Sequence, residues 1–306
     1  MSIVIRRFAA VSLLAFLATC VLAQNAPTNQ KDADETGWTS TLNFEGSANS
    51  QERVLDLGSN VGYNFNEHWG VDMGVPLSFV SSSTPTTTTG TTTTKGTSSS
   101  LNSLGNIYMD MKFKTTGDAA NYNSTLTVTA PTGSTTKGVS TGRPNYGWNN
   151  HVEHDFDRLT PFLELGLSNG LTDTKSFHRP FTTLGFVSQF TGGSKIDLGG
   201  NFSVGGSLYD VLPSGQQKMF SKLVAKKSTT TAGTGKNGRA YELAAETTGD
   251  ASLTHDNGGS AWIEYSPDKI FDFQIGYTHS VHLALDSVAF NLEVNLAKLM
   301  NRGKKY

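Results

Sequence analysis

The chain predicts an all-β fold: an antiparallel transmembrane β-barrel of about 12 strands, with short turns at one rim and long loops at the other. Three observations predict it. Apolar and polar residues alternate with period two in segment after segment. Past the first residues, no apolar run is long enough for a spanning helix. Aromatic residues gather on the apolar faces close to short turns.

The bulk numbers leave room for this reading. The 306 residues carry a formal net charge of −2, so no basic surface argues for nucleic acid. Gly, at 32, and abundant Thr and Ser favour strands, turns and loops. Residues 1–23 read as a signal peptide. Arg6 and Arg7 form its positive start, Phe8 to Leu22 its apolar run, and Val21-Leu22-Ala23 its cleavage site before Gln24. A retained membrane helix is one alternative, though its apolar core is short. A lipoprotein signal ending at Cys20 is another, with Thr19 where Gly, Ala or Ser is usual. Cys20 is the only cysteine, so the processed chain has no disulfide to hold it. An exported chain that spans a membrane without long apolar runs must span it as strands, closed on themselves.

Residues 24–35 read as a flexible segment, and 36–306 as the barrel. Trp38 to Phe44 opens the alternation. Leu55 to Phe65 follows a turn near 47–51, and Trp69 to Phe79 follows the tight turn Asn66-Glu67-His68. Residues 81–100 are a Thr/Ser-rich low-complexity loop. In NIYMDMKFK (106–114), Ile107, Met109, Met111 and Phe113 share one face, and Asp110, Lys112 and Lys114 the other. Tyr122–Ala130, Tyr146–Phe156 and Leu163–Leu167 continue the pattern. Leu184–Phe190 turns through Gly192-Gly193-Ser194 into Ile196–Leu208. Alternation is weak from Tyr209 to Asn257, read as one large loop over 209–257. Ala261–Tyr265, Phe271–Val281 and Val288–Leu296 close the chain.

The apolar faces are expected to touch lipid rather than a second sheet. Phe65, Trp69, Phe113, Tyr122, Phe156, Phe190, Tyr265 and Phe271 all lie on them near short turns. A sandwich core has no reason to place rings at one end of each hairpin, whereas a membrane interface does. The opposite face then lines the lumen, with Asp56, Asp72, Asp110, Glu153, Asp155, Glu164, Asp197, Glu264, Asp272 and Glu293 against Lys112, Lys114 and Lys195. An open lumen of this kind favours cations. An internal ion-pair network without a passage is the competing reading, and Asp72 and Lys112 are expected at similar depth.

GNIYMDMKFK, STLTVTAPTG and the Trp148–Phe156 run leading into LTPFLELGLSN resemble bacterial outer-membrane transporter barrels near those of meta-cleavage phenol degradation operons. The resemblance implies a barrel of about twelve strands, in the outer membrane, carrying small aromatic or apolar molecules. Its partners would be the lipid bilayer, the outer-membrane assembly machinery and small solutes, with no cofactor, no metal and no catalytic residue. Such barrels often end on an aromatic that closes the last strand; here that strand ends near Leu296, and AKLMNRGKKY follows.

Other motifs weigh less. Gly233-Thr-Gly235-Lys236-Asn-Gly238 matches a dinucleotide fingerprint but lacks the preceding buried strand. Ser280 beside His279 and His282 suggests a hydrolase, yet His279 falls in the outward register. His151, Glu153, Asp155 and Glu164 could ligate a metal, against the commoner reading of polar barrel filling. A structural or surface-interaction barrel without a pore is the alternative to a channel. If assembly signalling lies in Phe290–Leu296, deleting residues 297–306 leaves membrane assembly intact, as heat-modifiable migration on gels will show.

Overall fold

The computed structural model describes residues 36–49, 52–83, 87–89, 92–94, 98–222 and 245–301. The expected signal peptide, the 24–35 segment, parts of the Thr/Ser-rich loop and the Gly233–Gly238 motif lie outside the described residues. The strands are β1 (Gly37–Asn49), β2 (Glu52–Asn64), β3 (Trp69–Ser83), β4 (Thr87–Thr89), β5 (Thr92–Thr94), β6 (Ser98–Leu104), β7 (Tyr108–Thr116) and β8 (Asn121–Thr129). They continue as β9 (Asn145–Glu153), β10 (Leu159–Ser168), β11 (Phe181–Gly199), β12 (Phe202–Ser221), β13 (Glu246–Gly249), β14 (Asp256–Tyr265), β15 (Phe271–Ser280) and β16 (Leu285–Asn295). A short helix, α1 (Leu296–Asn301), follows.

Every ladder is antiparallel, and the chain closes into a 12-stranded barrel. β16 pairs with β1 and β11 with β12, so the ring of staves closes on itself. β7 pairs with one half of β3 and β6 with the other, so the two act as one broken stave. The break falls at Gly105, whose N–H donates to the Pro76 carbonyl at 2.8 Å. A Cβ on Gly105 would come within 2.7 Å of the Pro76 ring, so the proline on β3 requires a glycine across from it. β4 and β5 form a separate two-stranded hairpin, and β13 pairs antiparallel with the end of β12.

Short connections join β2–β3, β7–β8, β9–β10, β11–β12 and β14–β15 at one rim. Local polar side chains fix them. Asn66 Oδ1 accepts from the N–H groups of His68 and Trp69, each at 2.8 Å, and Asp268 Oδ1 accepts from Ile270 at 2.8 Å. Two boundaries differ from the sequence reading. Gly192-Gly193-Ser194 is not a turn: β11 runs through it, and the chain reverses at Gly199, Gly200 and Asn201, with φ of 80°, 64° and 69°. Gly193 is small for another reason, since a Cβ there would meet the Gly206 carbonyl and the Phe162 ring. The stretch read as a loop from Tyr209 begins as strand, because β12 continues to Ser221. Its alternation is broken by a register shift opposite Leu184/Phe186, where Gly185 (φ 150°) faces Ser214–Lys218. Gln217 fills the shift, donating to the carbonyls of Phe186 (3.2 Å) and Ser214 (3.0 Å).

The barrel is inside-out relative to a water-soluble domain. Met109, Met111, Leu163, Ile263 and Ile275 face outward and are exposed, whereas Asp72, Asp110, Asn149 and Thr278 are buried inside. An apolar belt of that extent suits lipid tails. Replacing Ile275 on this belt by Arg is expected to lower folding stability by about 2–4 kcal/mol in vesicles. Gln274→Arg, facing the interior one residue away, costs less; denaturant unfolding of the two variants measures the contrast.

Candidate functional site

The interior is built by the inward register of each strand. Asp56 on β2, Asp72 on β3, Asp110, Lys112 and Lys114 on β7, Glu153 on β9, Glu164 on β10, Glu264 on β14, Asp272 on β15 and Glu293 on β16 all share it. Asp155 and Asp197 do not line the interior. Asp155 is exposed past the end of β9, and Asp197 is exposed near the end of β11. Asp155 accepts from Thr160 Oγ1 at 2.7 Å, and Asp197 from the Gly199 N–H at 2.7 Å, so they fasten turns. Their parity is right, but Asp155 lies beyond its strand and Asp197 sits just before the Gly199–Asn201 reversal.

The ladder sets acid directly opposite acid, Asp72 against Asp110 and Asp272 against Glu293. Like charges placed so destabilise a sheet unless something answers them. Lys112 pairs with Asp72, and Thr127 Oγ1 donates to Asp110 at 2.6 Å. His151, 2% exposed, lies between Glu164 (3.1 Å from Nδ1) and Glu153 (3.0 Å from Nε2), stacked on Phe162 at 5.5 Å. Both imidazole nitrogens are thus taken by carboxylates, and Asp155 is not part of the group.

The remaining acids are answered by a connection between two strands. Residues 169–180, joining β10 to β11, fold into the barrel. Thr174 and Phe177 bond each other's backbone to make a tight tip. Lys175 reaches Glu293 on β16 at 3.4 Å, and the Ser176 carbonyl accepts from Thr278 Oγ1 on β15 at 2.9 Å. His178 lies between Asp56 (3.2 Å) and Glu45 (3.5 Å), on β2 and β1. Arg179, 2% exposed, sits 3.6 Å from Asp256 and over the Phe177 ring at 4.5 Å. Its backbone N–H donates to Asp173 (2.8 Å), and Lys222 bonds Asp173 (3.3 Å) and the Arg179 carbonyl (3.1 Å). Burial works against charge on Lys175, but Glu293, Asp272, Glu45 and Glu264 outweigh it and hold its ammonium above the usual lysine range. Burial likewise opposes charge on His178, and the contact with Asp56 and the fields of Glu45 and Asp173 lift it to about 9. Three cations within five residues, opposite a wall rich in acids, were the available signal.

The inward loop leaves two cavities. One of about 450 Å³ is bordered by Asn60, Tyr108, Asp110, Asn149, Asp173 and Lys175. One of about 120 Å³ lies against Phe162, Trp262, Phe177, Tyr209, Gln189 and Lys175. Phe162 and Trp262, 6.2 Å apart, point inward. Sequence reasoning passed over them, although an aromatic in the polar register is itself the signal. At the loop rim Leu171, Phe181, Val187, Val211 and Met219 pack into a small apolar core inside the barrel.

Rings also mark the turn rim outside. Trp69, Phe113 and Tyr122 are in series at 4.9 and 6.1 Å, and Tyr63 sits between Trp38 (5.5 Å) and Phe65 (5.7 Å). Phe156 and Phe271 lie at the same rim, and Tyr265 stacks on Phe202 at 4.5 Å. Phe190 does not belong to this group. It pairs with Leu165 and Asp210 in the middle of β11, because the turn lies at 200–201. Phe202 takes the place assigned to it. The Ser280/His279 arrangement fails as a hydrolase: Ser280 donates inward to Asp256 at 2.6 Å, while His279 faces outward onto Asp286 at 2.7 Å.

No protein-family model and no curated protein matches the chain. Solved structures do. An outer-membrane channel from Pseudomonas putida F1 superposes with a TM-score of 0.50 at 9% identity, over 85% of this chain and 95% of its own. The fold is that of an outer-membrane β-barrel. Fainter likenesses are the NanC porin (TM-score 0.45, 9% identity, 83% and 98% covered) and the KdgM porin (0.45, 8%, 83% and 98%).

Removing one partner of a buried pair costs about 3–5 kcal/mol. Arg179→Ala strands Asp256, which keeps hydroxyl donors from Tyr209 (3.1 Å) and Ser280 (2.6 Å). The expected loss is therefore at the lower end of that range, read from denaturant unfolding in detergent.

Proposed function

We propose that the protein is a narrow, passive channel of the bacterial outer membrane, through which small solutes pass beside the inward loop. The observation that carries this reading is the polar cavity of about 450 Å³ left between the loop and the β1–β3 and β7–β9 wall. Short turns face the periplasm and long loops the exterior, as in barrels of this build. The strand acids outnumber the strand lysines, and the loop cations offset them in part, so a weak preference for cations is expected.

The solute class follows from size and chemistry. An apolar cavity of about 150 Å³ suffices for benzene in other proteins. The smaller cavity, at about 120 Å³ and bordered by Phe162, Trp262 and Phe177, is of the order of one ring. Single-ring aromatic compounds suit it, in keeping with the resemblance to barrels of phenol degradation operons. One observation favours the second reading, a surface-interaction barrel without a pore. The apolar core of Leu171, Phe181, Val187, Val211 and Met219 sits within the loop rim.

Planar bilayers separate the two. Discrete conductance steps are expected from the intact protein, with larger steps after residues 173–178 are shortened to a Gly-Ser link. Steps from the shortened protein alone favour the plugged barrel, and flat traces from both overturn the channel reading. Reversal potentials in a salt gradient give the ion preference.

A further inference from the structure

We propose that Asp56, Asp173 and His178 form a binding site for a divalent transition-metal ion of the zinc type, clasping the inward loop to β2. Their ligand atoms all lie within 4.8 Å of one another. A tetrahedral ion with bonds of about 2.1 Å needs donors roughly 3.4 Å apart, so modest side-chain movement closes the set. One imidazole and two carboxylates leave a fourth position, open to water from the cavity of about 450 Å³ on which all three residues border.

Two further observations point to a ligand. His178 is 2% exposed, yet neither ring nitrogen makes a well-aligned hydrogen bond among the described residues; its contacts with Asp56 and Glu45 are short but poorly directed. Asp56 Oδ1 is likewise buried without a hydrogen-bond partner. Buried polar groups are seldom left so. The second is the arrangement around the ring. Nδ1 faces Asp56 at 3.2 Å and Nε2 faces Glu45 at 3.5 Å. An imidazole that binds metal through one nitrogen commonly gives its other N–H to a carboxylate, which fixes the ring and its tautomer. Glu45 is placed for that part. Asp173 Oδ1 is held by the Arg179 N–H, so its Oδ2, now bonded to Lys222, is the oxygen offered to the ion.

The site has competitors. Lys222 Nζ stands 3.3 Å from Asp173 Oδ2, so the ion displaces that ammonium, and it replaces the proton on Nδ1. Affinity is therefore set against a resident cation, and removing Lys222 strengthens it. The inference stands apart from the channel reading, because its readout is binding rather than conductance.

The test uses the folded full chain in detergent, free of any histidine tag and stripped with EDTA. Zinc chloride is titrated by calorimetry, and zinc retained after gel filtration is counted by atomic emission. One zinc per chain is expected. His178→Ala and Asp173→Asn should each weaken binding about 10-fold or more, Lys222→Met should tighten it, and His279→Ala on the outer rim should change nothing. Heat-modifiable migration checks that each variant is folded; if His178→Ala is not, the near-isosteric Asp173→Asn decides. No retained zinc in the intact protein, or affinity unmoved by the folded His178 and Asp173 variants, overturns the proposal.

Discussion

Hydrocarbon offers no partner to a backbone N–H or carbonyl, and everything else in this barrel follows from that constraint. The ladders from β1 round to β16 satisfy the chain strand by strand, and the β1–β16 and β11–β12 pairings close the ring. Once closed, each strand has one face for lipid and one for the interior. Period two then fixes the rest: a residue's parity decides whether it meets acyl chains or other side chains. Met109 and Met111 are outside for the same reason that Asp110 and Lys112 are inside.

An interior made of polar side chains brings its own difficulty. Carboxylates enclosed at close range repel one another and lose water, and Lys112 and Lys195 reach only some of them. The inward loop brings the missing charge. Lys175, His178 and Arg179 meet acids on β16, β1, β2 and β14, so one segment ties staves on several sides of the barrel. Its position follows from the wall's charge as much as from its own sequence.

Period two made most of the fold legible. The strands around Met109, Val71 and Phe290 could be read residue by residue, because nothing interrupts them. The β11–β12 hairpin could not. Its register shift at Gly185 and Ser214–Lys218 resets the parity, so the strand beyond Tyr209 resembles loop. Gly193 misled for a related reason: glycine marks turns, but it also marks close packing, and here the Phe162 ring needs the space. That error moved the turn and gave Phe190 the place of Phe202. Parity put most of the acids on the inward face, Asp155 and Asp197 apart, and set Lys112 near Asp72; the partners on the loop were not legible, since a loop's direction is a tertiary property with no period of its own.

The depth of the loop's contacts decides how it can move. At its root, Arg179 and Asp256 are 2% and 1% exposed, and an apolar core packs beside them. At its tip, Lys175 and Glu293 are 15% and 12% exposed, and Lys175 borders both cavities. Attraction between charges weakens as water approaches, because the effective dielectric rises. The tip contact is therefore the weaker of the two, although its separation of 3.4 Å is shorter than the 3.6 Å at the root. The wider cavity is bordered by the tip residue Lys175. On the proposed channel reading the loop would therefore be expected to give at Lys175 before Arg179, which does not border the wider cavity.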